Sequence, residues 1–268
     1  MRPIGLVLPF ILGTLACAES TPPSPSAPQA LAPAPVEQHP HWTYTGDTGP
    51  EHWGDLDPSF GLCGHGARQA PVDLPAHATA AHAPARPQWA PVPLHVVNNG
   101  HAIQVDDAAP SSFTVDGTTY ALAQFHFHSP AEHTIAGRAY DAEMHLVHKS
   151  NDGKFLVVGV LFTSGAENAI LKPIWDAMPS QAGGPPVTVP NVAIDVASLL
   201  PSAPRYLRYE GSLTVPPCTE GVTWLVVEPD SSLSLSTEQI ARLRAATHGA
   251  TNRPVQLLGE RVVTELVP

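Results

Sequence analysis

The sequence predicts a mainly β protein (α/β roll-like), with one large twisted, mostly antiparallel central sheet and a few covering helices. Six short runs rich in β-branched or aromatic residues support this fold class, at 94–97, 102–105, 121–128, 142–147, 155–162 and 222–227. Glycine, proline, asparagine and aspartate separate these runs, as expected for turns between strands. The sequence from residue 41 onward shows no internal repeat, heptad pattern or glycine-rich phosphate loop.

Two segments are predicted to form helices. Ser236 and Gln239 resemble a capping box that starts one helix, and Gly249 would stop it. A weaker helical pattern at 166–178 places Pro173 in an early turn, where proline is tolerated. Neither helix carries an obvious reactive group, so both are expected to cover the sheet.

The first 18 residues resemble a cleaved export signal, with Arg2, an apolar stretch at 4–15 and small residues before the cleavage point. The apolar stretch is too short to span a bilayer, which takes about 20 residues. Cleavage after Ala18 would release a soluble protein, whereas lipidation of Cys17 would anchor it to a membrane. We therefore expect an exported protein, periplasmic or extracellular, with the lipid anchor left open. A buried first strand or helix is the alternative.

Residues 19–40 are predicted to be a disordered spacer rich in proline and alanine. Seven of the twenty residues at 21–40 are proline, and this composition buries too little apolar surface to fold. Residues 41–268 are then expected to form one domain. The net charge of −11 gives no support to nucleic-acid binding, which needs clustered cations.

Cys63 and Cys218 remain when Cys17 is assigned to the export signal. In an oxidising compartment an isolated cysteine pair is expected to form a disulfide, with two free buried thiols as the alternative. Closing so long a loop would stabilise the fold by about 4 to 5 kcal/mol in the chain-entropy model.

Strict alternation at 124–128 indicates a metal site. On a strand, Gln124, His126 and His128 point to one face and the two phenylalanines between them point to the other. The two imidazoles are then close enough to converge on one ion. The alternative is that the histidines only tile a polar face of the sheet.

A second short strand at 143–147 places Glu143 and His145 on a common face, so that pairing the two strands supplies a third imidazole. Three neutral nitrogen ligands and one open position are typical of a catalytic zinc site, although iron and copper also accept imidazole. Gln124 and Glu143 each lie two residues from a ligand. Both are placed to accept the other ring N–H of that ligand and fix its tautomer.

Eight segments together carry a resemblance to a known family. They are GPEHW at 49–53, QAPVD at 69–73, NNGHA at 98–102, QFHFH at 124–128, EHT at 132–134, EMHLVH at 143–148, GSLTVPPC at 211–218 and NRP at 252–254. Over residues 41–268 the sequence resembles the α-class carbonic anhydrases, in particular the secreted bacterial members. The resemblance implies a zinc enzyme that reversibly hydrates carbon dioxide to bicarbonate and a proton, by attack of zinc-bound hydroxide.

The resemblance also implies roles for individual residues. His101 matches the proton shuttle, and Thr214 matches the gatekeeper whose hydroxyl donates to Glu132. Apolar positions match the wall against which carbon dioxide rests, and polar positions match those that order water between metal and shuttle. The apolar set is Val147, Val157, Leu213, Val222 and Trp224, and the polar set is Tyr44, Asn99 and Gln104.

Two positions depart from the family pattern. Ala70 lies where members often have serine, and Val215 lies at the substrate side where many have a threonine that contacts bicarbonate. Each change removes a hydrogen bond and no ligand, so altered rate or anion affinity is expected. Two other functions remain as alternatives. One is a catalytically silent binding relative, and the other is a zinc hydrolase of the amidohydrolase type, which would need eight βα repeats.

Overall fold

The computed structural model describes residues 40–81, 86–106 and 109–266. The predicted export signal at 1–18 and the predicted spacer at 19–40, apart from Pro40, lie outside the described residues. The described part belongs to one compact unit, His39–Pro268. None of its helices is long and apolar enough to cross a membrane.

Short strands dominate the described chain, with four α-helices between them. The strands are β1 (Asp73–Leu74), β2 (Thr79–Ala81), β3 (Arg86–Gln88), β4 (Val92–Asn98), β5 (Ile103–Asp106), β6 (Ser112–Val115), β7 (Thr118–His128), β8 (Thr134–Ile135), β9 (Ala142–Ser150), β10 (Phe155–Ser164), β11 (Val187–Ile194), β12 (Tyr206–Ser212), β13 (Glu220–Val227), β14 (Ser234–Leu235) and β15 (Thr264–Leu266). The helices are α1 (Trp53–Leu56), α2 (Gly61–His65), α3 (Lys172–Ala177) and α4 (Thr237–Ala246), and 3-10 turns lie at Gly46–Thr48, Pro58–Phe60 and Val196–Leu199.

Thirteen of the described strands form one large sheet. Its order is β11-β4-β5-β7-β9-β10-β13-β12-β15-β2, with β6 added beside β7, β3 beside β6, and β14 beside β10. Within the described sheet, neighbours are antiparallel except for the parallel pairs β10–β13, β10–β14 and β15–β2. The predicted fold class is confirmed, and each of the six predicted runs lies in, or largely in, one of these strands.

The two faces of the sheet bury different groups. Because side chains alternate along a strand, β10 sends Val158 into one apolar cluster and Val157 into another. In the same way β13 sends Leu225 into the first cluster and Trp224 into the second. The first and larger cluster includes Trp175 of α3 and the apolar residues of α4. One face is therefore a core covered by helices, and the other face is left to form the site.

Helix α4 begins as predicted and ends earlier. The Ser236 hydroxyl accepts from the Gln239 backbone N–H, and the Gln239 side chain accepts from the Ser236 backbone N–H, which is the predicted capping box. The helix ends at Ala246, three residues before Gly249. Gly249 closes the turn, because its N–H donates to the Arg244 carbonyl and its φ of 138° suits glycine.

Helix α3 is shorter than the predicted 166–178. The Asn168 side chain accepts from the Leu171 N–H and its carbonyl accepts from the Lys172 N–H, so a separate turn precedes the helix. Pro173 lies in the first turn of α3, as predicted. The sequence pattern covered both the turn and the helix because both bury the same apolar side.

A disulfide joins Cys63 of α2 to Cys218, as the sequence predicts, across a sequence separation of 155. Both half-cystines are buried beside Trp53 and Phe60 in a third apolar cluster. The bond therefore ties the segment before the sheet to the loop between β12 and β13.

Replacing Cys63 and Cys218 together by alanine should lower the free energy of unfolding by about 5 kcal/mol, because a loop of this length gains much chain entropy when released. Urea unfolding followed by far-UV circular dichroism measures the change. Wild-type protein treated with reductant is the matched control and should unfold with the same midpoint as the double variant. Equal midpoints for oxidised wild type and the double variant would contradict the prediction.

Candidate metal centre

Three histidines meet where strands β7 and β9 pair. His126 lies directly opposite His145 in the register, and His128 follows two residues along β7 on the same face. One nitrogen from each of the three rings lies within 4.8 Å of the others, and the ring centroids are 4.6 to 5.2 Å apart. The histidines converge, as the metal prediction requires, and do not simply tile a polar face.

One ring N–H of each histidine donates a hydrogen bond to an acceptor in the protein. His126 Nδ1 donates to Gln124 Oε1 at 2.8 Å, and His145 Nε2 donates to Glu143 Oε1 at 2.9 Å, as the two-residue spacing predicts. His128 Nδ1 donates to the Thr251 carbonyl at 2.5 Å. These bonds leave Nε2 of His126 and His128 and Nδ1 of His145 as the available donor atoms.

The donor set fits a divalent metal ion. Burial lowers the pKa of His126, His128 and His145, and neighbouring imidazoles lower the pKa of His126 further, so that neutral rings are favoured. His128 Nε2 is buried and has no hydrogen-bond partner among the described residues, as expected for an atom that binds a metal. Within the described chain this group consists of three histidines, the ligand number that is typical of metal sites whose fourth ligand is water or substrate.

Glu143 is the most heavily bonded carboxylate at the site. Its Oε2 accepts from the backbone N–H groups of Glu132 and His133, both at 2.9 Å, while Oε1 accepts from the rings of His133 and His145. Burial alone would raise the pKa of Glu143, but the two histidines hold it well below its usual value. Gly159 on β10 makes room, since a Cβ there would lie 2.7 Å from Glu143 Oε1.

Glu132 lies just beyond the histidines. Its Oε2 is 3.7 Å from His128 Nε2 and 3.9 Å from His145 Nδ1, and its Oε1 accepts from the Arg253 backbone N–H at 2.8 Å. Burial raises the pKa of Glu132 to about 7, against the opposing effects of His145, the Arg253 backbone and the Thr214 side chain. The structure thus brings Thr214 and Glu132 together beside the candidate ligands.

A cavity of about 140 Å³ leads away from His126 and His128. This volume holds several water molecules. The cavity is lined by all the residues predicted to lie between metal and shuttle, and by Val215. The polar members of the lining are Tyr44, Asn99, His101, Gln104 and Gln124. Asn99 Nδ2 donates to Gln104 Oε1 at 3.3 Å, so two of the predicted water-ordering residues are themselves linked.

His101 is held at the rim of this cavity by Trp42. The two rings stack at 3.6 Å with 9° between their planes, and the His41 ring lies 6.1 Å from the His101 ring. Burial lowers the pKa of His101, and His41 lowers it further. Sequence reasoning did not single out Trp42, although it lies two residues before Tyr44.

The five apolar residues predicted to face the substrate lie in or against one cluster. Val157, Val222 and Trp224 are buried, and Val147 and Leu213 pack against them. The register accounts for this, because Val157 lies between Val147 of β9 and Trp224 of β13. The Trp224 ring is 4.8 Å from the His145 ring, so the apolar wall adjoins the candidate metal ligands.

Sequence reasoning missed several residues that shape the site. Thr251 contributes a backbone carbonyl, which any residue could supply, so its identity carries no signal. His133 and Arg253 lie inside two of the segments that resemble the family, and those segments could have drawn attention to them. Gly159 was read only as part of an apolar strand, because its role depends on a side chain of the neighbouring strand.

The comparisons with known proteins agree with this geometry. The family model for eukaryotic-type carbonic anhydrases matches residues 48–266. The chain belongs to the α-class carbonic anhydrase family. The carbonic anhydrase of Klebsiella pneumoniae is 42% identical over 227 residues, which cover 84% of this chain and 91% of that relative. The carbonic anhydrase of Neisseria gonorrhoeae is 40% identical over 237 residues, which cover 88% and 92%.

Solved structures agree with this family membership. The α-carbonic anhydrase of Thermovibrio ammonificans, solved with the inhibitor sulfanilamide, superposes with a TM-score of 0.79 at 41% identity, covering 84% of this chain and 98% of that one. Dioscorin, solved in complex with ascorbate, superposes with a TM-score of 0.76 at 30% identity and the same coverage. This protein is therefore a carbonic anhydrase, an enzyme class whose small-molecule substrates are carbon dioxide and bicarbonate.

The space that Gly159 leaves for Glu143 gives a testable prediction. The change Gly159→Ala should displace the Glu143 carboxylate and weaken binding of zinc, the metal on which the family generally depends, by about 10- to 100-fold. Competition with a chromogenic chelator measures the affinity. The control is Gly61→Ala, whose new methyl group meets nothing within 4 Å and should leave zinc binding unchanged. Equal zinc affinities in the two variants would contradict the prediction, because they would show that Glu143 keeps its position beside an added methyl group.

Proposed function

We propose that this carbonic anhydrase reversibly hydrates carbon dioxide to bicarbonate and a proton, with Zn²⁺ held by His126, His128 and His145. The observation that carries the proposal is the convergence of three neutral imidazoles whose other ring nitrogens are already bonded. A zinc ion in such a site lowers the pKa of water to near neutrality, the established property of carbonic anhydrases, and so supplies a nucleophile at physiological pH.

Thr214 and Glu132 would orient that nucleophile. An ionised Glu132 carboxylate only accepts hydrogen bonds, so the Thr214 hydroxyl would donate its proton to Glu132 and keep its oxygen lone pairs for an incoming donor. This arrangement would admit a protonated oxygen at the open position and disfavour groups without a proton. The Glu132 carboxylate lies near both His128 and His145, and Thr214 lies beside Glu132, which supports the assignment.

The apolar wall would receive carbon dioxide. Carbon dioxide has no net dipole, so an apolar surface can contact it at little cost in lost hydrogen bonds. The side chains that would form this surface are Val147, Val157, Leu213, Val222 and Trp224. Val215, which lines the nearby cavity, cannot hydrogen-bond to bicarbonate as a threonine would. We therefore expect product affinity to differ from that of threonine-containing relatives, with the reaction unchanged.

His101 would pass the released proton to solvent. The cavity between His126 and His101 is lined by Tyr44, Asn99 and Gln104, whose polar groups can hold a chain of water molecules. An imidazole can accept a proton at one ring nitrogen and later release it to solvent. The stack on Trp42 would fix the half-buried ring beside the cavity.

A catalytically silent binding protein is the alternative. Dioscorin, a fold neighbour solved with bound ascorbate, shows that this fold is also found with a different kind of ligand. The presence of all three imidazoles together with Glu132 and Thr214 supports an enzyme here. A zinc hydrolase built on an eight-fold βα barrel does not fit the single large sheet of the described chain.

We also propose that the enzyme acts outside the cytoplasm, as the N-terminal sequence predicts. The disulfide between Cys63 and Cys218 supports this location, because disulfides persist in oxidising compartments. The disulfide does not involve Cys17, so both export routes are compatible with it: release of a soluble protein, or a lipid anchor at Cys17.

Zinc-dependent hydration is the central prediction. Purified protein should hydrate carbon dioxide in a stopped-flow assay, lose activity when the metal is removed by a chelator, regain it with Zn²⁺, and be inhibited by an aryl sulfonamide. The change His145→Ala removes one of three ligands and should abolish recovery by zinc. Protein that retains stoichiometric zinc but shows no sulfonamide-sensitive hydration would establish the silent alternative.

The shuttle assignment predicts buffer-dependent behaviour. The change His101→Ala should lower kcat in weak buffer by about 10-fold or more, with little change in kcat/KM, because proton transfer follows the chemical step. Added imidazole should restore part of the loss. His77→Ala is the matched control, since His77 is exposed near the opposite edge of the sheet. A loss that imidazole does not repair would exclude His101 as the shuttle.

A further inference from the structure

A chain of hydrogen bonds extends from the candidate metal ligand His145 into the protein interior. His145 Nε2 meets Glu143 Oε1 at 2.9 Å, Glu143 Oε1 meets His133 Nδ1 at 2.7 Å, and His133 Nε2 meets the Tyr209 hydroxyl at 2.6 Å. All four residues are buried. Tyr209 lies on β12, two strands beyond β10 and well away from the two strands that carry the ligands.

The direction of each bond follows from donor and acceptor chemistry. An ionised carboxylate only accepts, so both His145 and His133 donate to Glu143. His133 in its neutral form then has a lone pair at Nε2 and needs a donor there. The Tyr209 O–H supplies it. Tyr209 therefore fixes which nitrogen of His133 carries the proton, and with it the bond that His133 makes to Glu143.

Glu143 has no acceptor capacity to spare. Its Oε2 is taken by two backbone N–H groups, and its Oε1 is shared by His133 and His145. If the His133 proton moved to Nε2, Glu143 would lose one donor and face a lone pair instead. Glu143 Oε1 would then be held less firmly, although the two backbone bonds to Oε2 remain, and the N–H of His145 would have a less fixed acceptor.

Packing holds Tyr209 in one place. Its ring stacks on Trp224 at 6.2 Å with 13° between the planes, and the Arg261 guanidinium lies 5.6 Å over it. The backbone of Gly211 lies against the Tyr209 ring, because a Cβ at Gly211 would lie 2.9 Å from Tyr209 Cε2. These contacts hold the Tyr209 ring in one position, with its hydroxyl at hydrogen-bond distance from His133 Nε2.

We propose that Tyr209 is a positioning residue of the metal centre, which acts through His133 and Glu143 to keep His145 in the Nε2–H form that presents Nδ1 to the metal. The inference rests on the proposed zinc site and adds a group that touches neither the metal nor the substrate.

The chain offers a closely matched pair of variants. Tyr209→Phe removes the hydroxyl that bonds to His133. Tyr206→Phe, three residues away on the opposite face of β12, removes a buried hydroxyl that has no hydrogen-bond partner in the described structure. Zinc affinity by chelator competition should fall by about 10-fold for Tyr209→Phe, near the lower end for groups that support a ligand, and stay unchanged for Tyr206→Phe. The visible spectrum of the Co²⁺-loaded protein should change only in Tyr209→Phe.

A measurement on the unmodified protein tests the same point if Tyr209→Phe fails to fold. Nitrogen-15 chemical shifts of the His133 ring should show a protonated Nδ1 and an unprotonated Nε2. A protonated Nε2 would overturn the proposal, as would zinc affinity in Tyr209→Phe equal to that of wild type. Wild-type protein that binds no zinc would overturn the proposed function as well, so the two failures are distinguishable.

Discussion

The site depends on a simple constraint, that a neutral imidazole has one N–H to donate and one lone pair to offer. Three neutral histidines can serve as ligands only if each N–H is accepted elsewhere, and here an amide, a carboxylate and a backbone carbonyl do so. Two acceptors lie on the ligand strands themselves, whereas the third comes from Thr251 near the C-terminus. The segment that carries Thr251 therefore completes a set of acceptors that β7 and β9 alone cannot supply.

Arg253 joins these remote parts. Its backbone N–H bonds to Glu132, and its guanidinium donates to the Gln69 side chain and to the carbonyls of Ala70 and Cys63. The segment that supplies the Thr251 carbonyl is thus tied to the disulfide-bonded N-terminal part of the domain. Such a buried cation is tolerated because these bonds satisfy most of its donors. Stability and site geometry are coupled through this one side chain.

The sequence predicted what depends on local periodicity. The two-residue spacing of Gln124, His126 and His128 fixed their common face, and the same rule placed Glu143 beside His145. The residues contributed by distant segments could not be read this way, because no local pattern relates Thr251 or Tyr209 to a histidine. The end of α4 was also misplaced, since Gly249 closes a turn that follows the helix. Periodicity predicts faces, and tertiary contacts decide ends and partners.

The pairing of β7 with β9 has a consequence for assembly. These strands are close along the chain and carry all three imidazoles, whereas the acceptor for His128 lies 123 positions away and Tyr209 lies 76 positions from His133. This strand pair alone holds the three imidazoles and the acceptors of His126 and His145, whereas the acceptor of His128 comes from a distant segment. Metal affinity would therefore depend on the docking of the segment that carries Thr251, because only then is the His128 ring held in one tautomer.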